Sequence, residues 1–84
     1  MVSRYGTIAV YIVASQKRGT LYCGVTDNLG ARILAHREGR GSKFAAKYGC
    51  KRLVWYEIYD MIADAIMREK SIKKWRRQWK INLI

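Results

Sequence analysis

Proline is absent from the 84 residues, histidine occurs once, cysteine twice, and acidic residues number only six against seventeen Lys and Arg. Two cysteines, Cys23 and Cys50, far apart and without a CxxC pair, build neither a disulfide framework nor a zinc site. Both are expected to be reduced and partly buried. The longest uninterrupted apolar run, Ile8 to Ala14, is seven residues, whereas a membrane-crossing helix needs about 20. It follows Arg4, but Tyr11 puts a polar hydroxyl inside it and no small-x-small cleavage triplet comes after, so it does not read as a signal peptide. The expectation is a mature, soluble, cytoplasmic chain. What is plentiful is burial material, with half of the residues apolar and three Trp, six Tyr and one Phe, which excludes intrinsic disorder despite the charge. A chain this short forms one domain, residues 1–84.

The net charge of +11 creates a field that concentrates polyanions, of which nucleic acid is the commonest inside cells. Seven cations (Arg68, Lys70, Lys73, Lys74, Arg76, Arg77, Lys80) stand against Glu69 alone between residues 68 and 80, with Trp75 and Trp79 interleaved. Further cations run from Arg4 to Arg52, Lys43 among them. Such a stripe reads as a phosphate-backbone contact, in preference to a merely solvated face or a helix lying on an anionic membrane.

Thr7 to Ala14 is β-branched and aromatic, a polar turn follows at 15–19, and Thr20 to Thr26 completes a hairpin. Asp27 or Asn28 caps a first helix over about 28–38, and Ser42 to Tyr48 suits one further helical turn ending at Gly49. Lys51 to Tyr59 reads as a third strand, with Leu53, Trp55 and Glu57 on one face and Val54, Tyr56 and Ile58 on the other. Asp60 then caps a helix continuing to about Trp79, uninterrupted by Gly or Pro. The order ββαβα predicts an α+β fold, a three-stranded antiparallel sheet flanked by helices.

On that last helix, at about 100° per residue, Glu69 lies inside the apolar stripe of Ile62, Ala65, Ile66 and Ile72. A burial-facing carboxylate is costly unless paired or coordinated. Two explanations stand side by side, an internal ion pair with an Arg and a divalent-metal ligand at the core's edge. Asp27 and Asp60 read as caps, Glu38 lies near a helix end and Asp64 on a polar face, so a metal-dependent chemistry here would use one ion, not two. Arg32 and His36, spaced i,i+4, share a helix face. They are either surface residues or a phosphate grip with a proton carrier beside it. Tyr11 and Tyr22 sit centrally in neighbouring strands, as core residues with wet hydroxyls or as phenols aimed at a reaction centre. Trp75 and Trp79 read as a pair closing the core, and Trp55 as a buried strand residue.

Together these positions resemble the GIY-YIG endonuclease superfamily, especially its small bacterial stand-alone members. The resemblance runs from Ala9-Val10-Tyr11 through Tyr22-Cys23-Gly24, Asn28-Leu29, Arg32, His36 and Leu53-Val54-Trp55-Tyr56-Glu57 to Arg68-Glu69-Lys70 and Ile72-Lys73-Lys74-Trp75. It implies hydrolysis of nucleic-acid phosphodiesters, DNA in the first instance and structure-selective, with one divalent ion, Mg²⁺ or Mn²⁺, held by Glu69. Tyr11 would accept a proton from, or orient, the attacking water, Tyr22 would assist, Arg32 would stabilise the pentacovalent phosphate, and His36 would contact phosphate or relay a proton. Gly24 would allow close packing beneath the site, and Asn82 stands where many relatives carry a polar residue. Lys43, Lys70, Lys73, Lys74, Arg76 and Arg77 would contact the backbone of the nucleic acid. The chain departs from the family pattern at Ala9 and Cys23, and at Ala45 and Ala46 where close relatives often have a hydroxyl residue. It carries none of the added DNA-binding modules of larger members, so substrate choice falls to this module, a partner chain or self-association. The alternative function is a nucleic-acid-binding module with vestigial catalysis. A third is an interaction protein whose basic helix docks on an acidic partner.

Overall fold

A computed structural model describes residues 7–84; Arg4 and the other residues before Thr7 lie outside it. Three strands, β1 (Ala9–Ala14), β2 (Leu21–Thr26) and β3 (Arg52–Ile58), form an antiparallel sheet in the order β2-β1-β3. The helices are α1 (Leu29–Arg37), α2 (Lys43–Lys47), α3 (Ile62–Lys73) and α4 (Arg77–Leu83). The expected α+β architecture is therefore present, with the order ββααβαα.

Central β1 is buried at every position, which explains why its sequence is a continuous apolar run and not an alternation: both of its faces are covered. On one face Tyr11 and Val13 pack with Ile33 of α1, Ala45 of α2 and Cys50. On the other, Val10, Ile12 and Cys23 pack with Ala65 and Ile72 of α3, and with the partly buried Trp75 and Leu83. Both cysteines are free and buried. The β1–β2 connection closes through Ser15, whose backbone N–H donates to Thr20 O (3.0 Å) and whose hydroxyl accepts from Thr20 N (2.9 Å).

Side-chain caps hold two helices, the first at Asn28 as expected and the second at Ser42, where no cap was expected. Asn28 Oδ1 accepts from Ala31 N (3.1 Å) at α1, and Ser42 Oγ accepts from Ala45 N (2.9 Å) at α2. Asp60, by contrast, does not cap α3; Met61 occupies the cap position and no side chain bonds there. Nor does one helix run on to Trp79. Lys74 ends α3, Arg76 is extended (φ −61°, ψ 152°), and α4 begins anew. A straight helix of 20 residues would extend about 30 Å, beyond strands of six or seven residues that span about 20 Å. Trp75 and Leu83, on the two sides of the break, both pack against the core cluster between the sheet and α3.

The third strand also departs from simple alternation. Ile12 pairs with Trp55 but Val13 pairs with Leu53, so Val54 is an extra residue in a bulge. Leu53 consequently packs with Tyr11 and Val13, while Val54 and Trp55 both face α3. Trp55 is half-buried, not fully buried as its place in the pattern suggests.

Candidate active site

Tyr11 is 1% exposed, on the α1 face of the central strand, and its hydroxyl lies 2.8 Å from His36 Nε2. The expectation of a wet hydroxyl fails for Tyr11, because α1 lays the imidazole directly over it. The rings meet edge to face with centroids 5.4 Å apart, and Tyr22 lies 5.6 Å from the same imidazole. Tyr22, on edge strand β2, is half-buried, so one phenol is sealed and its neighbour reaches solvent.

Two glycines make this packing possible. Gly24 is the cross-strand partner of Tyr11, and a Cβ there would stand 2.4 Å from the Tyr11 oxygen. A Cβ on Gly41 would stand 2.3 Å from His36 Nδ1. The only sequence signal for this role of Gly41 is its place just beyond a helix that carries the lone histidine.

Burial charges little here. It pushes the Tyr11 phenol far above its ordinary range, reinforced by Tyr22 and by the more distant Glu69 and opposed by Arg32. Burial, then the Arg32 guanidinium, pushes His36 below the usual histidine value. A neutral phenol thus faces a neutral imidazole, and His36 Nδ1 is buried without a hydrogen-bond partner. Arg32 itself is exposed, one turn before His36, with Nη1 donating to Gly41 O (3.3 Å) and its other N–H groups bonded to no described residue.

Glu69 approaches from α3 across the β2 edge. Its side chain is 14% exposed and pairs at 3.6 Å with Lys73. The partner foreseen as an arginine is therefore a lysine; Arg68 instead bonds Glu57 (3.1 Å) and stacks over Trp75. Lys73 Nζ also lies 5.5 Å from the Tyr22 ring centre. Glu69 and Tyr22 are hence no farther apart than those two short spans laid end to end. Tyr11, Tyr22, Arg32, His36 and Glu69 converge around one edge of the sheet, although α1 and α3 lie on opposite faces.

The donor set decides what cation this edge suits. Among the described residues no three His, Cys, Asp or Glu gather as metal ligands, and Glu69 accepts no hydrogen bond from a described residue. One carboxylate with free lone pairs fits an ion that keeps most of its waters, as Mg²⁺ does. It does not fit a closed zinc site.

The basic residues do not form one face. Lys43, on α2, borders an open notch of about 620 Å³ with Arg40 and Lys47. Lys70, Lys73 and Lys74 are exposed on or at the end of α3. Arg76 stacks over Trp79 and Arg77 donates to Gly19 O, both beyond the helix break. Trp75 and Trp79 meet edge to face at 6.2 Å, but only Trp75 packs on the core, and Trp79 is 51% exposed. Asn82, exposed on α4, bonds Gln78.

Residues 7–82 match the family model described as the GIY-YIG catalytic domain. The chain belongs to the GIY-YIG family. It is 37% identical over 75 residues to a UPF0213 protein of Staphylococcus saprophyticus and, over the same length, to a UPF0213 protein of Staphylococcus aureus strain Mu3; each alignment covers 89% of this chain and 90% of the relative. No solved structure matches. As a GIY-YIG protein the chain falls in a nuclease family whose substrate is nucleic acid and whose members generally use divalent metal ions. No described helix is long and apolar enough to cross a membrane.

Proposed function

We propose that this GIY-YIG protein is a single-domain cytoplasmic endonuclease that hydrolyses DNA phosphodiesters, selecting substrate by shape, with one Mg²⁺ or Mn²⁺ ion held by Glu69. The observation that carries the reading is the convergence of a sealed Tyr11–His36 pair, a solvent-reaching Tyr22, an exposed guanidinium and a half-buried carboxylate at one sheet edge. When bound, the ion supplies charge neutralisation on the phosphate and acidifies water.

The chain's own groups divide the remaining work. Tyr22, half-buried where Tyr11 is closed, orients the attacking water. Tyr11 sits behind it as a neutral phenol, and a proton arriving at its oxygen is matched by passage of its own proton to His36 Nε2, 2.8 Å away. Burial keeps His36 neutral and therefore able to accept. Arg32, with N–H donors left over from Gly41, grips a non-bridging oxygen as charge builds on phosphorus. Lys43, Lys70, Lys73 and Lys74 hold the flanking backbone, with Arg76 and Arg77 contributing from α4, and a sequence-specific base reader is not needed.

A panel of branched, flapped, single-stranded and duplex substrates with and without Mg²⁺ tests the proposal. Wild type is expected to nick at least one class only with metal, and Glu69→Ala and Arg32→Ala each to lose at least about 100-fold in rate. Full cleavage by Glu69→Ala refutes the assignment of Glu69. The Lys73–Glu69 pair favours a second reading, a binding module whose carboxylate only anchors a lysine. That reading predicts salt-sensitive binding and no cleavage by any variant.

A further inference from the structure

Glu69 has one cation within 4 Å among the described residues, and it is a partly exposed one. Lys73 Nζ stands 3.6 Å from Glu69 Oε1, one turn along α3, while its side chain is 47% exposed against 14% for Glu69. The pair is thus a sheltered carboxylate with a solvent-reaching ammonium laid across its mouth. The ammonium also stands over the Tyr22 ring at 5.5 Å, so it points toward the side of β2 on which Arg32 and His36 lie. Arg68, the neighbouring arginine, is committed elsewhere, to Glu57 and Trp75.

An ammonium at that distance and a dication cannot share one carboxylate oxygen without strong repulsion. A partly exposed i,i+4 pair, by contrast, is weak and on a flexible stem. We propose that Lys73 is a displaceable counter-ion that fills the cation position of Glu69 until a nucleic-acid phosphate draws it away. Lys73 then trades the carboxylate for a phosphate, and the emptied oxygen accepts the divalent ion. Strand and ion therefore bind with positive coupling, and by linkage each raises the other's affinity by the same factor. The inference rests on the reading of Glu69 as the residue that holds the ion.

Calorimetric titration with Mn²⁺ alone, on the intact chain, tests the exchange without any turnover. Lys73→Met keeps the stem over Tyr22 and removes the charge. It is expected to bind Mn²⁺ about twofold more tightly than wild type, the worth of the i,i+4 pair that the ion must otherwise break. Glu69→Gln and the double variant are expected to bind none. With chelator present, duplex binding supplies the reciprocal arm: Glu69→Gln frees Lys73 and tightens binding several-fold, but does so less than twofold in the Lys73→Met background. Circular dichroism checks that each variant is folded. Equal Mn²⁺ affinity of wild type and Lys73→Met, with binding still lost in the double variant, overturns the counter-ion role and leaves Glu69 as the ion's holder. Mn²⁺ binding undiminished by Glu69→Gln, or absent from every variant, overturns the assignment of Glu69 as well.

Discussion

Replacing Gly24 by alanine tests the packing on which the whole sheet edge depends. The new Cβ would lie 2.4, 2.5 and 2.9 Å from Oη, Cζ and Cε1 of Tyr11, where ordinary contact begins at about 3.5 Å. The ring must retreat by about 1 Å, or β2 must move away from the Tyr11↔Gly24 pair. Neither is easy, since Tyr11 is 1% exposed and tied to His36. Overpacking of this kind costs about 1–3 kcal/mol, and loss of the phenol–imidazole bond adds about 0.5–1.5 kcal/mol. The expected destabilisation is about 2–4 kcal/mol, which at about 1 kcal/mol per molar urea moves the unfolding midpoint by about 2–4 M. Adding Tyr11→Phe removes the closest contact but leaves Cζ at 2.5 Å, so the double variant stays destabilised. A midpoint for Gly24→Ala within the equivalent of about 0.5 kcal/mol of wild type, with the His36 ring resonances unmoved, refutes this account.

The depressed proton affinity of His36 sets a pH signature: above about pH 6.5 both folded and unfolded chains carry it neutral, and below that the unfolded chain protonates first. Stability should therefore fall as the pH drops from 7 to 5, by up to about 1.4 kcal/mol per unit until the folded imidazole also protonates, and His36→Gln should flatten that slope in urea midpoints. Burial, with Glu69 next, pushes the Cys23 thiol up to about 11. Stability should accordingly decline as the pH rises from about 8.5, where an unfolded cysteine ionises, and Cys23→Ala should remove that share. Trp75→Ala should cost about 2–3 kcal/mol because its indole packs on the core beneath Arg68, whereas Trp79→Ala, at a side chain half in water, should cost less than about 1 kcal/mol; thermal unfolding of the two variants compares them directly.

The strands, the first two helices and the Asn28 cap were legible in the residues alone, because they depend on local chemistry: a β-branched run, an Asn offering its oxygen to backbone N–H groups, and polar breaks between the elements. Helical periodicity alone also turned Glu69 inward, although of the stripe expected around it only Ala65 and Ile72 are buried, Ile62 and Ile66 standing exposed. The break at 74–76 was not legible, since no Gly or Pro marks it and what it accompanies is packing, Trp75 and Leu83 both meeting the core cluster. The bulge at Val54, the sealing of Tyr11 under His36 and the choice of Lys73 over an arginine as partner of Glu69 were likewise invisible to spacing. Each depends on which face of a neighbouring element arrives at a given atom, and that is settled by the packing of layers together, not by the chain's local preferences.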